Sequence, residues 1–230
     1  MIKTYLIGIA VCATLAFPAL AQKESVNPGI NNSYLSKDLI VEEWIERLEK
    51  EGREVFDNRE AIVAALGLKP GMDIADIGSG TGAHLPFMSA EVQSSGQVFA
   101  VDIVSKFLAH VDEQKAKNDW DNVKTVLCTE RSVELPIRSV DMAFICNVYH
   151  HFEYPSDSLE SIHQALRSKG KIVLIDFKRI PGESSEWILG HMRAGQEVFE
   201  AEIVKAGFKK LGEVDDLLKE NYMVFFEKTK

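Results

Sequence analysis

The sequence predicts an α/β fold in which a mostly parallel β-sheet is covered by helices on both faces. Short apolar segments of strand type alternate along the chain with longer segments whose apolar residues recur at helical spacing. Strands that are apolar over almost their whole length are typical of parallel strands buried on both faces. With 230 residues, 46% of them hydrophobic, the chain is long enough to bury one such core.

The predicted elements alternate regularly until the C-terminal part of the chain. Strands are expected at residues 72–77, 97–103, 123–128, 142–148 and 171–177, and helices at 37–50, 57–68, 81–92, 104–117 and 157–168. The alternation then changes, because a helix at 197–206 is followed by two strands, at 208–214 and 222–228. The short connection between these last strands predicts an antiparallel hairpin at the sheet edge.

The charge of the chain bears on its partners. The sequence has 35 acidic against 26 basic residues, a formal net charge of -9, and no basic cluster. Such a chain repels the phosphate backbone of nucleic acids. We therefore expect no nucleic-acid partner and look for a small-molecule ligand; the sequence does not indicate an oligomeric state.

Residues 1–21 have the features of a secretory signal peptide. Lys3 is followed by an apolar stretch over residues 5–17, then by Pro18 and an A-x-A sequence that ends at Ala21. An uncleaved membrane anchor is the less favoured alternative, because the apolar stretch is shorter than the roughly 20 residues that cross a bilayer. We expect cleavage after Ala21, export to the periplasm or the outside, and no stable membrane insertion of the mature chain.

The mature chain is expected to have two parts. Residues 22–60 form an N-terminal leader and a cover helix, and residues 61–230 form the main domain. The leader proper, residues 22–34, is polar and is expected to be mobile. The cover helix carries apolar residues at the i, i+3, i+4 and i+7 positions of one face, a pattern typical of packing on the core.

A glycine-rich loop follows the first predicted strand, in the sequence ADIGSGTGAH at residues 75–84. Gly78, Gly80 and Gly82 form a G-x-G-x-G pattern, while Gly78, Gly80 and Ala83 satisfy the dinucleotide pattern G-x-G-x-x-G/A. Glycines at the carboxyl end of a strand let the main chain approach a ligand closely. Two ligand classes fit such a loop, dinucleotides and S-adenosylmethionine.

Two aspartates distinguish these ligand classes. Asp76 lies two residues before the first glycine, where its charge disfavours a pyrophosphate but suits the ammonium group of S-adenosylmethionine. Asp102, at the end of the second strand, can accept hydrogen bonds from ribose hydroxyls, a role that both ligand classes share. Asp76 therefore favours S-adenosylmethionine as cofactor, and an NAD-dependent oxidoreductase is a distant alternative.

The segments ADIGSGTG, VFAVDI, LPIRSVDMAFICNVYHHF and KGKIVLIDF, with the terminal hairpin, resemble the class I S-adenosylmethionine-dependent methyltransferases from about Ile62 onward. The resemblance implies a Rossmann-like three-layer sandwich, a seven-stranded sheet of order 3-2-1-4-5-7-6 and an antiparallel last strand. It also implies that Cys128 and Cys146, on strands that are not neighbours, form no disulfide. The implied function is methyl transfer to a small-molecule acceptor. The alternative is an exported protein that binds a nucleoside or S-adenosyl ligand without turnover.

The resemblance assigns a set of cofactor contacts. The usual acid after the third strand is replaced by Cys128-Thr129-Glu130-Arg131, so that Thr129 or Glu130 takes its place against the adenine. The expected cofactor-binding residues, in chain order, are Asp76, Gly78, Ser79, Gly80, Thr81, Gly82, Asp102, Ile103, Thr129, Glu130 and Asn147.

The end of the fourth strand is where methyl group and acceptor meet in this superfamily. Tyr149 and His150 are therefore the candidate catalytic residues, and a histidine there can accept a proton from a hydroxyl acceptor. The alternative is that the paired histidines cap the strand and hydrogen-bond the following loop. A metal site formed by His150, His151 and Glu153 is not expected, because adjacent side chains on an extended chain point to opposite faces.

Substrate selection is expected in the long segment 178–196 after the fifth strand, since loops at this edge commonly select the ligand. His191 and Arg193 are its candidates, and Arg193 suits an anionic acceptor. Arg59, before the helix that leads into the first strand, is a third candidate. The alternative is that the segment packs a short lid helix while Arg193 pairs with a surface acid.

Overall fold

The computed structural model describes residues 22–229 and contains one seven-stranded sheet of order β3-β2-β1-β4-β5-β7-β6. β7 is antiparallel to both of its neighbours, and the other strand pairs are parallel. The predicted strand order and the antiparallel last strand are confirmed. The strands are β1 Asp73–Ile77, β2 Gln97–Asp102, β3 Val123–Leu127, β4 Val140–Cys146, β5 Leu166–Phe177, β6 Phe208–Glu213 and β7 Asn221–Lys228.

The helices lie close to their predicted positions, with two differences. The helix predicted at 57–68 corresponds to α3, Arg59–Ala65, and is preceded by a short helix that was not predicted, α2; the helix predicted at 157–168 ends at Ala165 because β5 begins at the next residue. A short 3-10 helix, Tyr149–His151, follows β4. The α-helices are α1 Val41–Leu48, α2 Glu54–Asp57, α3 Arg59–Ala65, α4 Leu85–Val92, α5 Ser105–Asn118, α6 Pro155–Ala165, α7 Glu186–His191 and α8 Gln196–Lys205.

The core has two halves, one on each face of the sheet. Successive side chains of a strand point to opposite faces, so in β5 Leu174 packs in one half and Val173 in the other. Helices α6 and α8 cover the first half, and α3 and α4 cover the second. Burial on both faces explains why the central strands are apolar along their length.

The carboxyl ends of the parallel strands β1, β2 and β4 meet at one edge of the sheet, where the glycine-rich loop turns. Gly78 and Ser79 donate main-chain hydrogen bonds to the carbonyl oxygen of Val101, 2.7 and 3.1 Å away. Gly78 has a φ of +72°, and a Cβ at this position would lie 2.4 Å from Cγ1 of Val148. Only glycine therefore fits where the loop crosses the start of the segment after β4.

The polar leader, residues 22–34, which the sequence predicts to be mobile, makes hydrogen bonds to the loop after β4. The main-chain nitrogen of Val26 donates to the carbonyl oxygen of Glu153 at 2.9 Å, and Nδ2 of Asn31 donates to that of His151 at 3.0 Å. Polar groups of the leader thus form hydrogen bonds with main-chain carbonyl groups of the loop after β4.

The cover helix α1 packs less deeply than its apolar face suggests. It has no buried residue, and its Trp44 lies edge-on to Phe107 of α5 with ring centroids 6.2 Å apart. The predicted signal peptide, residues 1–21, lies outside the described residues. Within residues 22–229, no helix combines the length and the apolar character that a membrane span requires.

Candidate functional site

A pocket opens at the carboxyl ends of β1 to β4, beneath the N-terminal segment. The empty space of this pocket, together with its open mouth, has a volume of about 1160 Å³. Most of the predicted cofactor residues line it, and they come from strand ends that are far apart in sequence. The predicted residues that line it are Asp76, Gly78, Ser79, Gly80, Thr81, Asp102, Ile103, Thr129, Glu130 and Asn147.

Asp102 is fixed by the main chain of the loop that it faces. Its Oδ2 accepts a hydrogen bond from the nitrogen of Gly80 and its Oδ1 from that of Val104, both at 2.8 Å. The residue is only 5% exposed, and burial raises its pKa to about 6 against the opposing effect of these bonds. Each carboxylate oxygen keeps a free lone pair, so the side chain can also accept bonds from ligand hydroxyls.

Asp76 is a buried acid of the pocket, and its pKa is far above the ordinary value of an aspartate. Burial, with a smaller contribution from the Asp102 charge, raises its pKa to about 7. Its Oδ2 is buried without a hydrogen-bond partner among residues 22–229. A buried carboxylate is costly unless it is paired, so a cationic ligand group at this position would remove a large penalty.

Further polar groups of the pocket also lack partners among the described residues. Ser79 Oγ and both amide atoms of the Asn147 side chain are buried and unpartnered. Asn147 adopts a left-handed conformation with a φ of +53°, which turns the chain as it leaves β4. Buried polar groups are normally satisfied, so this set is typical of a site that binds a polar ligand.

Gly80 brings the loop close to the N-terminal cover. Its φ is +53°, and a Cβ placed there would lie 3.5 Å from Cδ1 of Leu48. Gly82, by contrast, does not line the pocket, and its Cβ would lie 2.8 Å from Cδ1 of Leu85. The structure therefore gives Gly82 a packing role at the start of α4.

Several pocket residues were not predicted from the sequence, foremost Arg53. Within residues 22–229 it is the sole arginine or lysine that lines the pocket, and its guanidinium donates to the carbonyl oxygen of Leu48 at 3.0 Å. Burial lowers its pKa. Asn31 and Tyr34 also line the pocket from the leader. No motif marks these residues, since they reach the pocket only through the path of the N-terminal segment.

Tyr149 does not reach the pocket. The side chain is completely buried, and its hydroxyl donates to Oε2 of Glu202 on α8 at 2.9 Å. Burial, reinforced by the Glu202 charge, raises its pKa well above the ordinary value. Tyr149 begins the 3-10 helix after β4 and packs in the core.

The predicted substrate residues Arg59 and Arg193 also lie outside the pocket lining. Arg193 forms a bidentate ion pair with Glu202, with N···O distances of 2.9 and 2.6 Å. The structure thus agrees with the alternative interpretation, in which Arg193 pairs with an acid and does not bind the substrate. Arg59 lies over the rings of Phe56 and Phe87, 4.0 and 5.7 Å from their centroids. Both guanidinium groups thus have structural partners.

His150 is 2% exposed and bonded to a buried aspartate, and it does not line the pocket either. Its Nδ1 lies 2.8 and 3.1 Å from the two carboxylate oxygens of Asp176. The expectation that His150 and His151 point to opposite faces is wrong. They belong to one turn of 3-10 helix, and their ring centroids are 4.3 Å apart.

His151 does line the pocket, and His191 of α7 completes a histidine cluster beside it. Burial, followed by the neighbouring histidines, lowers the pKa of His151 to about 3, and burial also lowers that of His191. Burial therefore favours the neutral form of both imidazoles. His191 itself does not line the pocket; its ring stacks on that of Trp187, with centroids 4.6 Å apart.

Two free cysteines, Cys128 and Cys146, also line the pocket. Burial raises the pKa of Cys128 to about 12 and also raises that of Cys146. Neither thiol is therefore ionised at neutral pH, and a nucleophilic role for either is not supported.

Comparison with known proteins finds similarity to methyltransferases. Residues 75–174 match the model of a methyltransferase domain. A ubiquinone/menaquinone biosynthesis C-methyltransferase, UbiE, from Cupriavidus taiwanensis is 21% identical over 118 residues, which cover 51% of this chain and 48% of that protein. An arsenite methyltransferase from Halobacterium salinarum is 26% identical over 113 residues, 49% of this chain and 29% of that protein. The chain thus spans about half the length, or less, of these curated relatives.

Solved structures share the fold. A S-adenosylmethionine-dependent methyltransferase from Aquifex aeolicus superposes with a TM-score of 0.72, at 24% identity, over 83% of this chain and 99% of its own. At this identity the similarity concerns the fold, and it agrees with the strand order observed here.

Proposed function

We propose that the chain is a methyltransferase of the class I S-adenosylmethionine-dependent superfamily and that it transfers a methyl group to a small-molecule acceptor. The observation that carries the proposal is Asp76. A buried carboxylate with an unpartnered oxygen and a pKa of about 7 lies beside a glycine loop, where an ammonium group would neutralise it. S-adenosylmethionine supplies that ammonium group and an electrophilic methyl carbon on its sulfonium.

The residues of the pocket fit this cofactor. Asp76 suits the amino group, Asp102 suits the ribose hydroxyls, and the side chain of Ile103 gives an apolar surface for the adenine. Arg53, the pocket's basic residue, suits the carboxylate of the methionine part. The remaining charged lining residues are acidic, which favours a ligand that carries a net positive charge at its sulfonium.

The chain's contribution to the chemistry is mainly binding and orientation. Methyl transfer requires an acceptor aligned with the sulfonium in a site shielded from water, rather than a strong acid or base. The N-terminal segment shields the site, because Asn31, Tyr34 and Leu48 line the pocket opposite the strand ends. His151 lines the pocket, but because burial lowers its pKa to about 3 it is a weak base, so no general base is assigned to the reaction.

A binding protein without turnover is the less favoured function, since the matched relatives are methyltransferases that act on a carbon acceptor and on arsenite. Turnover is tested by following formation of S-adenosylhomocysteine with candidate acceptors. The variant His110→Ala serves as a control, because His110 lies on α5 and does not line the pocket. It should form S-adenosylhomocysteine at the wild-type rate. Tight binding of the cofactor with no product from any acceptor class would support the binding protein instead.

We also propose that the chain is exported and cleaved after Ala21. The support is the setting of Gln22, which would become the first residue. Its main-chain nitrogen donates to Oδ1 of Asp157 at 2.8 Å, and Arg131 donates to its carbonyl oxygen at 2.6 Å. A new terminal ammonium at this nitrogen would face a carboxylate, which stabilises the charge.

The intact mass of the native protein from a cell fraction tests the cleavage. A mass that begins at Gln22, found in the periplasm or outside the cell, is expected. A species that retains Met1 and sediments with membranes would replace export with anchoring. The matched variant Asp157→Asn should lower the melting temperature of the cleaved form more than that of an uncleaved form, because only the former has the terminal charge.

A further inference from the structure

We propose that His150, His151 and His191 form a binding site for a divalent transition-metal ion, zinc in the first place, next to the cofactor pocket. The proposal rests on the proposed methyl transfer only for the use of the site, since metal binding itself is independent of it. The three rings come from two elements, the 3-10 helix after β4 and the end of α7. One potential ligand nitrogen from each lies within 4.8 Å of the others.

The spacing of the three rings matches that of a zinc site. Their centroids are 4.3 Å apart for His150 and His151, and 5.1 and 5.3 Å from each of these to His191. With Zn–N bonds of about 2.1 Å and tetrahedral angles, three imidazole rings around one ion have centroids about 5 Å apart. Small rotations of the side chains bring the nitrogens into bonding distance, and half-buried His191 has the most freedom for this.

A buried carboxylate orients one of the three ligands. Asp176, 0% exposed at the end of β5, holds Nδ1 of His150 at 2.8 Å and also accepts main-chain bonds from His150 and Phe177. The bond leaves Nε2 of His150 for another partner. Metal-bound histidines nearly always have such a carboxylate or carbonyl partner on the other nitrogen, and it fixes the ring orientation.

The imidazole rings of the other two ligands make no hydrogen bond among residues 22–229. Nδ1 of His151 is buried without a hydrogen-bond partner among residues 22–229. His191 makes ring contacts only, stacking on Trp187 and lying edge-on to the other two histidines. Tyr34 lies against His151 at 5.1 Å, so aromatic rings surround the cluster and limit its contact with water.

The donor set indicates the kind of ion. Three imidazole nitrogens suit zinc, copper, nickel or iron(II), whereas magnesium and calcium require oxygen ligands. Three protein ligands also leave the fourth zinc position open, which is typical of catalytic rather than structural sites. Because His151 lines the pocket, we assign the open position to the methyl acceptor.

The acceptor class that fits this position is a hydroxyl compound. Coordination lowers the pKa of the hydroxyl, and its proton leaves to solvent. The oxygen lone pair then forms the bond to the methyl carbon while the carbon–sulfur bond breaks. The products are a methyl ether and S-adenosylhomocysteine, so atoms and charge balance.

The test is a zinc titration of the purified chain, expressed without a polyhistidine tag and freed of metal with a chelator. Calorimetry and elemental analysis should show one zinc per chain, and cobalt should give the visible spectrum of a tetrahedral site. His191→Ala should lower zinc affinity at least about 100-fold, and Asp176→Asn about 10- to 100-fold. The control His110→Ala should bind zinc as the wild type does. Circular dichroism melting checks that each variant is folded.

The outcomes separate the metal site from the proposed function. Zinc affinity that is equal in the wild type and in folded His191→Ala, or no stoichiometric zinc at all, would overturn the site. Titration of the metal-free chain with S-adenosylhomocysteine tests the methyltransferase pocket independently. Binding of S-adenosylhomocysteine without zinc binding would therefore overturn only the metal site. Zinc binding alone would support the metal site and overturn its use in methyl transfer.

Discussion

Replacing Asp76 with asparagine should stabilise the free protein and weaken its cofactor binding at the same time. Burial and the nearby Asp102 charge raise the pKa of Asp76 from 3.8 to about 7. A difference of this size corresponds to about 4 kcal/mol between the protonation states. The folded pKa is the raised one, so the stability that protonation contributes is present below about pH 4 and is lost as the pH rises through about 7.

The neutral amide of Asp76→Asn removes this dependence. We expect the free variant to be about 2 to 4 kcal/mol more stable than the wild type at pH 8 and similar to it near pH 4. The gain is below the full 4 kcal/mol, because the amide is also left without buried partners. For a domain of this size it raises the melting temperature by on the order of 10 °C.

Denaturant unfolding of the wild type and Asp76→Asn, across pH 4 to 8 and without ligand, measures this effect. Calorimetry with S-adenosylhomocysteine at pH 8 should show at least about 30-fold weaker binding by the variant, since the ion pair to the ligand's ammonium group is lost. A simple folding defect would lower both quantities, so their opposite signs are diagnostic. An unchanged pH dependence of stability in the variant would refute the assignment of a buried, unpaired carboxylate to this position.

Three further changes test other parts of the site. Asp102→Ala should weaken binding of S-adenosylhomocysteine by about 2 to 4 kcal/mol without unfolding the chain, and an unchanged dissociation constant would show that the acid does not contact the ribose. Gly80→Val should abolish this binding, because a β-branched residue opposes the φ of +53° and fills the ligand's space, whereas Gly212→Val on the edge strand should bind normally. Arg193→Met should cost about 2 kcal/mol of stability through the loss of its Glu202 pair, yet leave cofactor affinity within about twofold. A large loss of cofactor affinity in folded Arg193→Met would restore its predicted role in the site.

The sheet and the floor of the pocket could be predicted from the sequence because both depend on local signals. Apolar strand segments determine which parts enter the sheet, and the glycine loop after β1 lies at its carboxyl edge in any fold of this class. Asp76 and Asp102 were found for the same reason, since each is placed by the strand on which it lies.

The residues around the acceptor could not be predicted, because their positions depend on a local turn and on tertiary packing. The 3-10 helix at Tyr149–His151 rotates successive side chains by about a third of a turn, so Tyr149 enters the core while His151 reaches the pocket. The leader reaches the pocket through hydrogen bonds between segments more than 100 residues apart, as between Asn31 and His151, and Arg53 lines the pocket from the segment between α1 and α2. No local pattern records such contacts.

Calorimetric titration of the purified chain with S-adenosylmethionine, S-adenosylhomocysteine and NAD tests the central claim most directly. The arrangement of Asp76, Asp102 and the glycine loop predicts binding of the two S-adenosyl compounds at one site per chain and no binding of NAD. Both compounds should bind more weakly below pH 7, because protonated Asp76 cannot pair with the ammonium group. Tight binding of NAD with no binding of either S-adenosyl compound would contradict the account.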